Sequence, residues 1–203
     1  MGGNSRELQE AIGMEDNATD SVKKRLMVAG TSLFAEKGYG GTSVREIVAQ
    51  AGVTKPVLYY YFQSKEGLFR ALLDYATRLQ EEVITRVLKT PGSALERLVL
   101  LYRQIYQGVA ENKDLFRMIH DLIFGPPQGA PQCDLDVYHR RMLHGIKSIY
   151  QEGLKEGSLT KTDPHEFAYL VLSLIDFCIH LDHMYPELSD PDRPERLLRL
   201  AFQ

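Results

Sequence analysis

Hydrophobic residues recur along this chain at the spacing of one face of a helix. The first such stripe is formed by Val22, Leu26, Ala29 and Leu33, because residues three or four apart share one face of an α-helix. Gly38 follows the stripe and is suited to stop a helix. The pattern therefore predicts a first helix that begins near Val22 and ends at Gly38.

Two short helices are predicted next. Ser43 and Glu46 have the S-x-x-E spacing of a capping box, in which a hydroxyl and a carboxylate satisfy free amides at a helix start, and this helix ends at Gly52. Thr54 is placed to cap the following helix, and Pro56 falls in its first turn, where a missing amide hydrogen costs little. Two short helices joined by a three-residue turn have the spacing of a DNA-reading helix-turn-helix.

The rest of the chain also follows a helical pattern. Ser64 is suited to cap a long fourth helix that runs towards Pro91, and glycine and proline separate the later stripes. No run has the alternation of a strand, so the sequence predicts an all-α fold of about nine helices. The helices after the fourth are expected at about 93–111, 114–124, 135–156, 164–184 and from 191 to the end.

Composition restricts the location of the protein. The chain is 44% hydrophobic and 25% charged, which is ordinary for a globular protein, and no apolar run approaches the ~18 residues that span a bilayer. Residues 1–20 are polar and net acidic, unlike a secretory signal, and we expect them to form a disordered arm. Cys133 and Cys178 lie far apart, without the spacing of a disulfide framework or a metal knuckle. We therefore expect a cytoplasmic protein that does not bind membranes.

Charge is distributed unevenly along the chain. The net charge of −3 argues at first against nucleic acid, whose phosphates are bound by lysine and arginine. Residues 22–66 nevertheless contain seven lysines and arginines against three acids, a local charge of +4. This segregation suggests a basic DNA-binding head on an acidic body, although a solvated surface would explain the same charge.

The predicted third helix carries the residues with the most suggestive chemistry. With Leu58 and Phe62 facing the core, its other sides present Lys55, Val57 and the tyrosines at 59–61. A tyrosine hydroxyl can bond a phosphate oxygen, and the start of such a helix usually touches base edges. Packing between neighbouring helices is the alternative for each single tyrosine.

An ordered series of residues across these three helices resembles a known family. The series consists of Leu33-Phe34-Ala35, Gly38-Tyr39, Thr42-Ser43-Val44-Arg45-Glu46-Ile47, Ala51-Gly52-Val53-Thr54 and Leu58-Tyr59-Tyr60-Tyr61-Phe62-Gln63-Ser64-Lys65-Glu66. It is similar to the DNA-binding domain of the TetR/AcrR family over about residues 22–70. The resemblance implies a three-helix DNA-binding domain over 21–67, followed by a larger helical effector-binding and dimerisation domain over 68–203.

The resemblance also implies a role for the residues of the head. Ser43 would contact phosphate, and Arg45 would contact a base, as arginine pairs with guanine in the major groove. The chain departs from the commoner family pattern at residues 55–57 and at Val48, so the operator sequence does not transfer. The full set of predicted DNA-binding residues is Thr42, Ser43, Arg45, Thr54, Lys55, Pro56, Val57, Tyr59, Tyr60, Tyr61 and Lys65.

The C-terminal body shows a helix that is apolar on most of its sides, over residues 167–181. Such a helix must be covered on most sides, which predicts burial against its own domain and against a partner subunit. Helix-turn-helix dimers also match the two-fold symmetry of their half-sites. The resemblance implies the same homodimer, formed by the last two helices.

The middle helices hold an aromatic and apolar set that would suit a small hydrophobic or aromatic effector, which the resemblance implies. Ordinary core packing would explain the same residues. Asp176, His180 and His183 fall on one helix face and can bind a transition metal, but no other group with ligand spacing accompanies them, and we predict no metal and no cofactor. The predicted effector lining is Tyr102, Tyr106, Phe116, His120, Phe124, Tyr138, Met142 and Phe177.

These patterns favour a ligand-responsive repressor that binds double-stranded operator DNA as a homodimer and is released by a small effector. An all-α enzyme is the first alternative, but no nucleophile with a base and no phosphate-binding loop is convincingly placed. A helical interaction module is the second alternative. A module that does not bind DNA would not explain the polar and cationic residues Ser43, Arg45, Lys55 and Lys65.

Overall fold

The computed structural model describes residues 18–126, 129–134, 136–185, 187, 190 and 192–202. Over these residues the chain contains nine helices and no strand, which confirms the predicted all-α fold. The predicted arm over residues 1–20 lies outside the described residues, except that 18–20 belong to the first helix. The helices are α1 (Ala18–Gly41), α2 (Val44–Ala51), α3 (Lys55–Phe62), α4 (Lys65–Lys89), α5 (Ala94–Glu111), α6 (Lys113–Phe124), α7 (Asp136–Lys155), α8 (Pro164–Met184) and α9 (Arg193–Phe202).

The predicted helix stop at Gly38 is confirmed. Gly38 interrupts α1 with φ 72° and ψ 170°, a backbone conformation that is open essentially to glycine alone. The chain then turns through Gly41 into Thr42 and Ser43, where α2 begins. A single glycine thus separates the long first helix from the two short ones.

The helix starts agree with the sequence at two of three predicted caps. Ser43 and Glu46 form the complete capping box, and the amide of Gly67 donates to Oγ of Ser64 over 2.9 Å. Thr54 takes the backbone conformation of a cap, but its side chain makes no capping hydrogen bond. The reason is local, because Pro56 has no amide hydrogen to offer and the amide of Val57 already donates to the Thr54 carbonyl.

The described chain forms two compact units. The head unit comprises residues up to Thr77 together with Gly108–Cys133, and the body unit comprises Arg78–Gln107 together with residues from Asp134 onwards. This division into contact units is not the same as the division into domains over 21–67 and 68–203 that the family resemblance implies. The two divisions differ because α6 packs against α1, which places a helix from the middle of the chain in the head unit.

The head unit is organised around an aromatic cluster. The ring of Phe34 lies 5.3 Å from that of Phe69, and Tyr39 lies 5.6 Å and 5.1 Å from these two rings. Ile47 of α2 and Leu58 of α3 are also fully buried. Burial of these apolar side chains fixes the two short helices in place.

In the body unit, α7 packs against α8. The ring of Tyr150 lies 4.4 Å from that of Phe167, and the Tyr150 hydroxyl donates to the carbonyl of Thr162 and accepts from its amide. Arg97 of α5 is 5% exposed and forms ion pairs with Glu152 of α7 and with Glu156, which directly follows α7. Apolar packing, ion pairs and hydrogen bonds to backbone thus join these segments.

Candidate nucleic-acid interface

Helix α3 has one buried side and one exposed side. Leu58 is 0% and Phe62 6% exposed, which confirms the predicted inward face. On the outer side Lys55 and Pro56 are exposed, and Tyr60 is 77% exposed. A tyrosine ring this exposed gains little from the core, so the outer side of α3 presents cationic and aromatic chemistry to the surroundings.

The three tyrosines of α3 divide between surface and packing. Tyr59 is 47% exposed. Tyr61 is only half-exposed, and its ring packs edge-on against Tyr60 at 5.0 Å and tilted against Phe62 at 6.3 Å. Val57, also half-buried, lies between the two sides of the helix. Tyr61 therefore combines packing with partial exposure, as the alternative for a single tyrosine anticipated.

The start of α2 places Arg45 at the surface. Arg45 and Lys55 form no ion pair with any residue that the structure describes. Ser43 is exposed as well, but its hydroxyl donates to Oε2 of Glu46 over 2.7 Å within the capping box. The two free cations are therefore the strongest candidates for contacts with phosphate or base edges.

An ion pair secures α2 against α1. Nζ of Lys37 lies 2.8 Å from Oε1 of Glu46. The hydrogen bond from Lys37, followed by those from Ser43, lowers the pKa of the Glu46 carboxyl to about 2. Glu46 therefore remains charged at neutral pH, and Lys37 neutralises an acid that would otherwise repel phosphate near the start of α2.

Lys65 has an internal role that sequence reasoning missed. Its ammonium group donates to the carbonyls of Tyr39 and Thr42 over 2.9 Å and 2.8 Å, and it lies 4.1 Å above the centre of the Tyr39 ring. Burial lowers the pKa of Lys65. Two of its three N–H groups thus hold the start of α4 to the turn before α2. Only long-range contacts reveal this role, since the residues lie 23 and 26 positions apart.

Thr42 is a correction to the predicted DNA-binding set. Its side chain is buried, at 2% exposure, and its hydroxyl donates towards the carbonyls of Gly38 over 2.8 Å and Leu33 over 3.1 Å. A buried hydroxyl that is bonded to backbone cannot reach a phosphate. Thr42 instead closes the turn that follows the Gly38 break, and it does not belong to the exposed interface.

Comparison with known proteins assigns the sequence that forms these helices to a family. Residues 26–72 match the family model "Bacterial regulatory proteins, tetR family". An uncharacterized HTH-type transcriptional regulator in the lacX 3' region of Lactococcus lactis subsp. lactis is 30% identical over 140 residues, 67% of each chain. The chain belongs to the TetR family.

Two further likenesses concern parts of this TetR-family chain or its fold alone. The uncharacterized HTH-type transcriptional regulator YdgC of Bacillus subtilis (strain 168) is 33% identical over 100 residues, and the match spans 47% of this chain and only 51% of YdgC. The crystal structure of AibR with isovaleryl coenzyme A and operator DNA has a TM-score of 0.67 at 19% identity, covering 88% of this chain and 97% of AibR. This likeness shows that the two proteins share a fold.

The predicted effector residues of the TetR-family chain fall into two groups, one in each unit. In the body unit, Tyr102 and Met142 are buried, with the ring of Tyr106 at 5.7 Å from that of Tyr102, whereas Phe177 is 58% exposed. In the head unit, three rings lie in a row along α6, tilted against one another, with centroids 5.8 Å and 5.1 Å apart. These rings belong to Phe116, His120 and Phe124, of which Phe124 is 70% exposed.

The structure gives less support to the remaining candidates from the sequence, which are Tyr138 and the possible metal ligands on α8. The side chains of Tyr138 and His183 lie outside the described residues, and Asp176 and His180 are exposed on α8. Among the described residues, no cluster of three or more His, Cys, Asp or Glu side chains is arranged to hold a metal ion. No described helix is both long and apolar enough to cross a membrane.

Proposed function

We propose that this TetR-family chain is a transcriptional repressor that binds double-stranded operator DNA as a homodimer and is released by a small-molecule effector. The observation that carries the proposal is the outer side of α3. There, Lys55 and Tyr60 are exposed while Leu58 and Phe62 hold the helix in the head. This arrangement fits a recognition helix that enters the major groove.

The proposed DNA contacts follow from charge and exposure. Arg45 reads a base edge at the start of α2, and Lys55 reaches the groove from the start of α3. Tyr59 and Tyr60 donate hydroxyl hydrogen bonds to phosphate oxygens. Ser43, Thr54, Pro56, Val57 and Tyr61 stay in the proposed interface as neighbours of these groups, and Lys65 contributes its remaining N–H.

The homodimer is proposed from exposed apolar residues in the last two helices. Tyr169, Leu170 and Phe177 of α8 are 49%, 52% and 58% exposed, and Leu200 of α9 is 76% exposed. A two-fold interface buries the same patch on both subunits. Two identical patches of this kind would cover each other and give the two heads the symmetry of a palindromic operator.

The effector is proposed to bind in the helical domain that follows the head. AibR, which shares this fold, has been crystallised with isovaleryl coenzyme A and operator DNA. A ligand that binds one conformation of the dimer better than the other shifts the equilibrium away from the DNA-bound state. A cytoplasmic location, where operators are found, agrees with the free thiols of Cys133 and Cys178.

Selection from random double-stranded DNA by the purified full chain tests the proposal. We expect a palindromic site to be enriched, with saturable binding that weakens steeply between about 50 and 200 mM salt, because bound phosphates release counterions when lysine and arginine neutralise them. Adding effector candidates should then release the duplex. Failure to enrich any sequence over random duplex would contradict the proposal.

A further inference from the structure

Five buried side-chain atoms of the body unit have no hydrogen-bond partner among the residues that the structure describes: Nε2 and Oε1 of Gln80, Nε of Arg97, the hydroxyl of Tyr102 and Oδ2 of Asp182. Tyr102, on α5, is 1% exposed, and its hydroxyl is unbonded. The side chain of Asp182, on α8, is 6% exposed, and its Oδ2 atom is unbonded. Buried side-chain polar atoms are hydrogen-bonded in the large majority of cases. The atoms of Tyr102 and Asp182 are considered together because ion pairs join both of their helices to α9.

The two groups act on each other electrostatically. Burial first, and then the charge of Asp182, raises the pKa of the Tyr102 hydroxyl. Burial also raises the pKa of the Cys178 thiol, on which Arg193 and Asp182 act next. Ion pairs place the same three helices together. Nη2 of Arg103, which follows Tyr102 on α5, lies 2.7 Å from Oε2 of Glu195 on α9, and Arg193 of α9 pairs with Asp182 of α8.

Tyr102 and Asp182 offer a defined set of free hydrogen-bond donors and acceptors. Oδ1 of Asp182 lies 3.5 Å from Nη1 of Arg193, whereas Oδ2 has no hydrogen-bond partner among the described residues. Oδ2 can accept a further hydrogen bond, since a carboxylate accepts at both oxygens. The hydroxyl of Tyr102 keeps its proton at neutral pH, so it can both donate and accept.

Buried side chains lie one helical turn before Tyr102 and Asp182, on the same helix faces. Leu98 precedes Tyr102 by one turn of α5 and is 0% exposed, and Cys178 precedes Asp182 by one turn of α8 and is 1% exposed. Leu198 of α9 is also fully buried. A molecule held by Tyr102 and Asp182 would therefore place the rest of its surface against apolar groups.

We propose that Tyr102 and Asp182 form the polar end of the effector site and select a small apolar or aromatic molecule that carries a neutral hydroxyl or primary amide. Such a group donates to Oδ2 of Asp182 and bonds the Tyr102 hydroxyl at the same time. A carboxylate would face the buried carboxylate, and an ether has no hydrogen to donate. This inference rests on the effector site of the proposed function and does not depend on DNA binding.

Thermal unfolding of the full chain tests the inference with matched compounds of increasing size. Each set contains a phenol or aryl carboxamide, its methyl ether or N,N-dimethylamide, and the corresponding carboxylate. A molecule that binds only the folded chain raises Tm. We expect the hydroxyl or primary amide compounds to raise Tm by several degrees at the size that fits, and their partners to raise it much less.

Isosteric variants separate ligand recognition from folding. Tyr102→Phe and Asp182→Asn should each weaken binding of the best compound at least 10-fold. Without ligand, Tyr102→Phe should leave Tm unchanged or higher, because the lost hydroxyl bonds no described residue. Tyr150→Phe is the matched control. It removes a buried hydroxyl that is bonded to the Thr162 backbone, so Tm should fall while the ligand-induced shift persists.

Two results would overturn the inference. One is a panel in which no hydroxyl or amide compound of any size exceeds its ether and carboxylate partners. The other is a Tyr102→Phe variant that loses as much stability as Tyr150→Phe, which would mean that the hydroxyl serves the fold. DNA binding is measured on the same preparations, so a chain that binds the compounds but no duplex would contradict the proposed function and leave this inference standing.

Discussion

Helices α3 and α8 both expose large side chains, but the residues beside them differ. On α3, the exposed Tyr59 and Tyr60 accompany Lys55. On α8, Leu170 and Phe177 are exposed in a 21-residue helix that contains no lysine or arginine. Phosphate needs cations and hydroxyl donors, whereas a second subunit needs apolar area. Exposed large side chains mark both surfaces as proposed interfaces, and the neighbouring chemistry favours a different partner for each.

The two surfaces also differ in how they are supported. The short helix α2, beside α3, is fixed by a capping box, by the Lys37–Glu46 ion pair and by Thr42 in the preceding turn. The exposed residues of α8 belong to a single long helix, another side of which is buried through Phe167 and Val171. We therefore expect substitutions on α8 to change assembly, and substitutions around α2 to change stability or DNA affinity.

The largest effect is expected on α8. Leu170→Glu and Phe177→Glu would each bury a carboxylate in the proposed dimer interface, which costs several kcal/mol for an unpaired charge. We expect the dimer dissociation constant to rise at least about 100-fold, about 3 kcal/mol, as measured by analytical ultracentrifugation. Gln151→Glu, at an exposed position of α7, is the control for added charge. A wild-type chain that sediments as a monomer would contradict the comparison.

A pair of threonines tests the difference between support and contact within the head. Thr42→Val removes a buried hydroxyl that is bonded to backbone, and we expect a loss of about 1–2 kcal/mol in the free energy of unfolding with DNA affinity unchanged. Thr54→Val removes an exposed hydroxyl that caps no helix, so stability should hold while DNA affinity falls. Urea unfolding and duplex titration measure the two quantities. The reverse pattern would return Thr42 to the interface.

The smallest effect is expected from acid titration of Glu46. Its folded pKa of about 2 lies below the ordinary value of 4.5, so its contribution to stability is complete above pH 4.5 and is lost as the pH falls towards 2. The stability difference between wild type and Glu46→Gln should shrink over that window in urea unfolding. Lys37→Met removes the largest cause of the shift and should abolish most of the pH dependence. A difference that is independent of pH would show that the ion pair is immaterial.

The sequence pattern predicted most of the fold because helix caps, backbone angles and helical periodicity depend on residues that are close in the sequence. Ser43, Ser64 and Gly38 each act through amides or backbone angles within a few residues, and the structure has them where the sequence indicated. The inward side of α3, with Leu58 and Phe62, follows from helical periodicity in the same way. Fold class and helix positions therefore needed no knowledge of distant contacts.

Long-range contacts account for what the sequence did not predict. The ammonium group of Lys65 donates hydrogen bonds to carbonyls 23 and 26 residues away. Helix α6 packs on α1 although the two helices are far apart in the sequence. Periodicity shows which side of a helix is buried, but it does not identify the partner. The same limit applies to Tyr102 and Asp182, whose buried, unbonded atoms become visible only once α5 and α8 are assembled.

The most direct test of the account is a titration of the selected duplex with wild type, Arg45→Ala and Lys55→Ala at two salt concentrations. Lys89→Ala, which removes an exposed lysine of α4, is the matched control. The account predicts that both head variants lose about 5- to 150-fold in affinity, about 1–3 kcal/mol, while the control binds as the wild type does. Equal binding by all four proteins would show that α2 and α3 do not read DNA, and would contradict the central claim.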